Sequence, residues 1–125
     1  MKVVLDAGAL IAVDRRDRRV GAMLRVLEQQ SMPVHTSGAV VAQVWRDGRR
    51  QVNLTRILAG VEIAPLDEVA AKRVGELLAV SRTTDLADAH VAWLVRPGDV
   101  LLTSDVADIT ALLKARRVTA QLVAV

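Results

Sequence analysis

The chain has 125 residues, enough for one average domain and too few for two catalytic ones, and 52% of them are hydrophobic, which excludes disorder. Two Trp with no Phe or Tyr leave Val, Leu, Ile and Ala to fill the core, which suits layered α/β packing and excludes an aromatic platform for stacked bases. The absence of cysteine excludes disulfides, thiolate zinc sites and cysteine nucleophiles, and the net charge of +3 is carried by 17 basic residues, 14 of them Arg, against 14 acids, 10 of them Asp.

Met1 and Lys2 lead straight into Val3-Val4-Leu5-Asp6, without a signal-peptide core or an apolar run near the ~20 residues that span a bilayer, so a soluble cytoplasmic protein is expected. The run Val3-Val4-Leu5 stops at Asp6-Ala7-Gly8 and hydrophobicity restarts at Leu10 and Ile11, the pattern of a buried strand followed by a helix. Val20, Met23, Leu24 and Leu27 recur at helical spacing until Ser31-Met32-Pro33 ends the helix before a short strand at Val34-His35-Thr36. A third helix is predicted near Gly38 to Trp45, broken by Asp47-Gly48, and a fourth from Gln51 to Leu58. Gly60 precedes a strand at Val61-Glu62-Ile63. Ala70, Val74, Leu77 and Leu78 mark the next helix, and Asp88 to Val95 another, stopped by Pro97-Gly98. Val100 to Thr103 reads as a strand, Asp105 starts a helix carrying Ile109, Leu112 and Leu113, and Leu122 to Val125 close the chain as a strand. Strands alternating with helices over residues 1–125 predict one α/β domain, a mostly parallel sheet covered on both faces.

In such sheets ligands bind outside the carboxyl ends of the strands. Asp6 and Asp105 each follow a strand directly. Either could serve only as a helix N-cap, a position that favours Asp. Asp88 falls on the same helical face as Val91, Ala92 and Val95, so it points inward, where a carboxylate needs a partner. Asp85 reads as the cap of that helix, and Asp108 as an acid favoured by a helix N-terminus. Three carboxylates converging at one sheet end would repel one another unless a cation sat among them, and oxygen-only ligands favour Mg²⁺ or Mn²⁺. On the same wheel His90 points away from Asp88 and His35 lies in another strand, so both read as structural or surface residues.

The opening Asp6-Ala7-Gly8-Ala9-Leu10-Ile11, the Asp88-Ala89-His90 start of a late helix and the closing Leu102-Thr103-Ser104-Asp105, taken with their order and the total length, resemble PIN-domain proteins, specifically the VapC-type ribonuclease toxins of bacterial toxin–antitoxin pairs. The resemblance covers essentially the whole chain. It implies a PIN-like three-layer α/β/α fold with a five-stranded mostly parallel sheet. It also implies a metal site formed by Asp6, Asp88 and Asp105, with Thr103, Ser104 and Asp108 as accessory polar groups. The implied activity is hydrolytic endonucleolytic cleavage of RNA, leaving 5′-phosphate and 3′-hydroxyl ends. The implied partners are a second copy of the chain and a cognate antitoxin, a segment of which folds onto the toxin's helices near Leu10, Ile11 and Leu54.

The family usually carries a Glu on the helix after the second strand, and Gln43 stands there. A carboxamide can offer its carbonyl oxygen to a cation or its hydration shell, but it removes a negative charge and cannot act as a base. The alternative is therefore a PIN-like module that binds antitoxin or RNA without cutting. Arg46, Arg49 and Arg50, and the cluster Arg15, Arg16, Arg18 and Arg19, are candidates for holding an RNA backbone without reading sequence. A phosphoacceptor receiver domain has a similar length and element order. It needs paired acids at the first strand and a Lys after the last, and neither is present.

Overall fold

The structure, a computed structural model, describes residues 1–125. In chain order the elements are β1 (Val3–Leu5), α1 (Ala7–Asp14), α2 (Arg18–Gln29), β2 (Val34–Ser37), α3 (Gly38–Val44), α4 (Val52–Leu58), β3 (Glu62–Ala64), α5 (Glu68–Ser81), α6 (Leu86–Leu94), β4 (Val100–Thr103), α7 (Val106–Arg116) and β5 (Gln121–Ala124). Five strands in the order β3-β2-β1-β4-β5 form one sheet, and every pairing in it is parallel. The predicted elements all appear, with boundaries shifted by a residue or two.

Strand order matters for function. The chain winds outward from β1 through β2 to β3, then returns to place β4 on the other side of β1, so the winding direction reverses between β1 and β4. Leu5 pairs with both Thr36 and Leu102, which brings the carboxyl ends of β1 and β4 level with one another. The residues that follow, Asp6 and the Thr103-Ser104-Asp105 turn, therefore border the crevice at this reversal, the usual ligand position in open parallel sheets. Gly8 permits the close approach: a Cβ there would collide with Oγ and Cβ of Ser104.

The excess of Asp over Glu has a local cause. Asp6, Asp17, Asp67, Asp85 and Asp105 are each an N-cap, accepting the backbone N–H of Ala9, Val20, Ala70, Asp88 and Asp108 at 2.9 to 3.0 Å. Ser37 does the same for α3 through the Val40 N–H. A short side chain reaches back to the first turn where Glu would overshoot.

The core is a cluster of 22 buried residues, almost wholly aliphatic, that includes Val3, Val4 and Leu5 of β1 and Leu101 and Leu102 of β4. Helix α6 is buried around its whole girth over Ala87 to Ala92, packed on α3, α5 and α7 as well as on the sheet. Over that span it has no outward face, and His90, expected to lie opposite Asp88 as a structural or surface residue, is structural and fully buried. Its Nδ1 lies 2.6 Å from Ser37 Oγ, while Nε2 has no partner. Burial lowers the His90 pKa against a smaller opposing pull from Asp67, so the ring is held neutral. Leu10 and Leu54, expected to line an open groove, are also fully buried, because α1 packs directly on α4. No helix is long and apolar enough to cross a membrane.

Candidate metal centre

Two first turns face each other across the crevice, and both carry the spacing Asp-x-x-Asp. In α6, Asp85 caps the helix and Asp88 sits in its first turn; in α7, Asp105 caps and Asp108 follows. A cap and the residue three positions later lie side by side, so each turn presents paired carboxylates. The two pairs meet. One carboxylate oxygen from each of Asp88, Asp105 and Asp108 lies within 4.8 Å of the others. Each cap spends one oxygen on a backbone N–H, leaving the second oxygen of Asp85 and Asp105 available.

Thr103 and Ser104 shape this turn. The fully buried Thr103 accepts the Asp105 N–H through Oγ1 at 2.9 Å, which sets the direction in which the α7 cap points. The Ser104 N–H donates to Asp6 Oδ2 at 3.0 Å, while Asp6 Oδ1 accepts from Ala9 at 2.9 Å. Asp6 is thus 1% exposed and holds both neighbouring turns, and it lies outside the trio that converges within 4.8 Å. Its charge still reaches Asp88. Replacing Asp6 with Ala removes the acceptor of the buried Ala9 amide and of the Ser104 amide, so a loss of about 2 kcal/mol is expected in chemical denaturation. Asp105→Asn is the cleaner probe of metal binding.

Asp88 is the most perturbed acid. Its pKa is pushed up to about 7, first by burial, then by the Asp85 charge, by a hydrogen bond with Asp108, and by the charges of Asp6 and Asp108. Near neutral pH the trio therefore retains a proton that a divalent cation would displace. Carboxylate oxygens alone, one of them reluctant to ionise unless neutralised, fit a hard cation such as Mg²⁺ or Mn²⁺. The N-termini of α6 and α7 also direct positive partial charge at the cluster, which lets the acids coexist in part.

The remaining candidates lie elsewhere. Gln43 is exposed on α3 and lines a shallow cleft with Ala39, Ala42 and residues 84–87, not the trio. Arg46 turns its guanidinium back onto the carbonyls of Ala42 and Trp45, and Arg50 Nε lies 3.9 Å from Asp47. This loop is fastened by Gln51, whose side chain accepts the N–H groups of Arg46 and Asp47 and reaches Asp14 at the far end of α1. A further cleft of about 660 Å³, bordered by Arg16, Arg18, Arg25 and Arg56, opens beside the amino ends of β2 and β3, at the other end of the sheet from the acids. The Asp-x-x-Asp spacing at the start of α7 was the sequence signal that pairs Asp108 with Asp105, while its meeting with Asp88 comes from the packing of α6 and α7.

No protein-family model and no curated protein sequence matches the chain significantly. Among solved structures, the chain is similar to one in the crystal structure of VapBC2 from Rickettsia felis bound to a DNA fragment from their promoter. The TM-score is 0.70 and the identity 15%, and the match covers 98% of this chain and 99% of that one. The likeness is one of fold, and it spans the whole α/β architecture from β1 to β5.

Proposed function

We propose that the chain is a divalent-metal-dependent endoribonuclease of the PIN-domain VapC type, the toxin of a type II toxin–antitoxin pair acting in the cytoplasm. The observation that carries this reading is the meeting of Asp88, Asp105 and Asp108 at the reversal between β1 and β4. Asp88, Asp105 and Asp108 would hold a Mg²⁺ or Mn²⁺ ion, which would supply an acidified water and neutralise charge at a phosphodiester. The chain's residues do the rest. Asp105 and Asp108 present oxygens from one helical turn and Asp88 from another, and Asp6, anchored by two amides, holds the turns in register. Asp88, titrating near pH 7, is the carboxyl group that gives up a proton as the site charges. Hydrolysis would leave 5′-phosphate and 3′-hydroxyl ends. Arg49 and the other arginines of the Arg46–Arg50 loop are proposed to hold the RNA backbone at a distance from the reaction, a salt-sensitive contribution.

A homodimer and an antitoxin belong to the same reading. The antitoxin segment is proposed to lie beside α2, where Met23, Val26 and Leu27 face Val100, Leu102 and Val123 across an open groove of about 580 Å³. The core position of Leu10 and Leu54 moves the groove here.

The direct test is incubation of the purified protein with RNA in Mg²⁺, in Mn²⁺ and in EDTA. Metal-dependent cleavage that disappears in Asp105→Asn supports the nuclease. Metal-independent cleavage, or none at all from a correctly folded protein, leaves the non-cutting binding module as the reading.

A further inference from the structure

We propose that the cleft between α3 and the start of α6 is a nucleobase subsite, and that Gln43, Thr84 and Asp85 read the base beside the scissile phosphate. The inference rests on the nucleolytic reading and adds to it a determinant of sequence preference. The cleft, about 450 Å³, is within the range of small-ligand sites. Its wall includes Asp85, which caps the helix that carries Asp88 and accepts the Asp88 N–H at 2.9 Å. Its floor is made of small residues, Ala39 and Ala42, which leave room for a flat ring, and Leu86, 49% exposed, offers an apolar edge to cover one.

The polar groups around this floor are uncommitted. Gln43 and Thr84 are exposed, and the fold uses neither side chain in a hydrogen bond. Asp85 uses one oxygen for its cap and keeps the other. A carboxamide presents a donor and an acceptor side by side, the complement of an amino group next to a ring nitrogen. Adenine and cytosine carry that edge, and the second N–H of their amino group can reach the free oxygen of Asp85. Uracil has no amino group and places a carbonyl oxygen there, which the carboxylate repels, whereas guanine offers an amino group of its own beside N3.

The test uses four fluorescent RNA heptamers, uridine tracts with A, C, G or U at the centre, titrated with the full chain in Ca²⁺ and followed by anisotropy. The wild type is expected to bind the A and C heptamers roughly fivefold or more tightly than the U heptamer. Gln43→Ala, and Ala42→Met as a variant that fills the cleft without removing a polar group, are expected to bring all four within about twofold. The rise in melting temperature on adding Mg²⁺ should be unchanged in Gln43→Ala. Equal affinity of the wild type for all four heptamers, or full discrimination by Gln43→Ala, overturns the subsite. A lost Mg²⁺ response in Gln43→Ala also overturns it, because Gln43 would then belong to the metal centre. Discrimination without cleavage in Mg²⁺ upholds the subsite and rejects the nuclease, whereas cleavage without discrimination does the reverse.

Discussion

Replacing Asp88 with Asn is expected to abolish metal-dependent RNA cleavage while making the metal-free protein more stable. The two effects have one cause. Asp88 is 7% exposed and faces Asp6, Asp85 and Asp108, so its ionised form is costly in the fold, and its pKa of about 7 lies well above the ordinary 3.8. Between those values the folded state binds more protons than the unfolded state, so the stability of the metal-free protein falls as pH rises from about 4 to 7. An uncharged Asn removes that slope. At pH 8 a gain of about 1 kcal/mol, or about 4 °C in melting temperature, is expected after screening by solvent and by the helix N-termini. The same proton predicts the pH dependence of metal binding. Below pH 7 the cation must displace it, so apparent affinity should rise about tenfold per pH unit and level off above pH 7. Thermal denaturation and calorimetric titration of both proteins from pH 5 to 8 measure these effects. A variant that is less stable than the wild type at pH 8 would show that Asp88 is not under the repulsion described.

The largest stability effect is expected at the other end of the sheet. Asp99 is 2% exposed and accepts three separate donors: Lys2 N–H at 3.0 Å, Lys2 Nζ at 2.6 Å and Arg96 N–H at 2.8 Å. It closes the Arg96-Pro97-Gly98 turn, in which Gly98 takes φ +86°, and clamps the start of β1 beside the start of β4. Asp99→Ala leaves the Lys2 ammonium and two amides without their acceptor, at a cost of about 3–5 kcal/mol and a fall on the order of 10 °C in melting temperature. Lys2→Met, which keeps the backbone bonds to Asp99, should cost about 1–2 kcal/mol. Burial raises the Asp99 pKa, but hydrogen bonds from Lys2 and from the Arg96 and Lys2 amides, together with the Lys2 charge, lower it more, and the net value falls below 3.8. The stabilisation is therefore full above about pH 4 and is lost as pH falls further, opposite in sign to the Asp88 effect. Urea denaturation of both variants at pH 7 and pH 3 measures the pair, and equal losses at the two values would refute it.

Much of the architecture is written locally. The run Val3-Val4-Leu5 followed by Asp6, and Val100 to Thr103 followed by Asp105, announce two strands that end in Asp-capped helices, because a short apolar run and a reach-back carboxylate are both local devices. Helices α2 and α5 follow the same logic, with apolar residues one turn apart. The alternation of the elements implied a parallel sheet. Its strand order was not implied: local signals say that β1 and β4 are strands, but not that they are neighbours.

Side-chain environment depends on more than local sequence. The helical wheel sets Asp88 inward and His90 opposite it, as a structural or surface residue, which presumes a helix with one side in water. Over Ala87 to Ala92 helix α6 has none, because α3, α5 and α7 enclose it against the sheet. Asp6 posed the same difficulty. Its place after β1 marked it as a cap and a site residue together, and only the packing of the 103–105 turn against Gly8 assigned its second oxygen to the Ser104 amide. The sequence by itself determined the elements, their caps and the paired Asp-x-x-Asp turns, since each depends on residues within one helical turn of one another. The tertiary structure alone decided which of those turns meet, which carboxylate keeps its proton near pH 7 and which groove stays open, because burial and charge repulsion depend on segments from opposite ends of the chain.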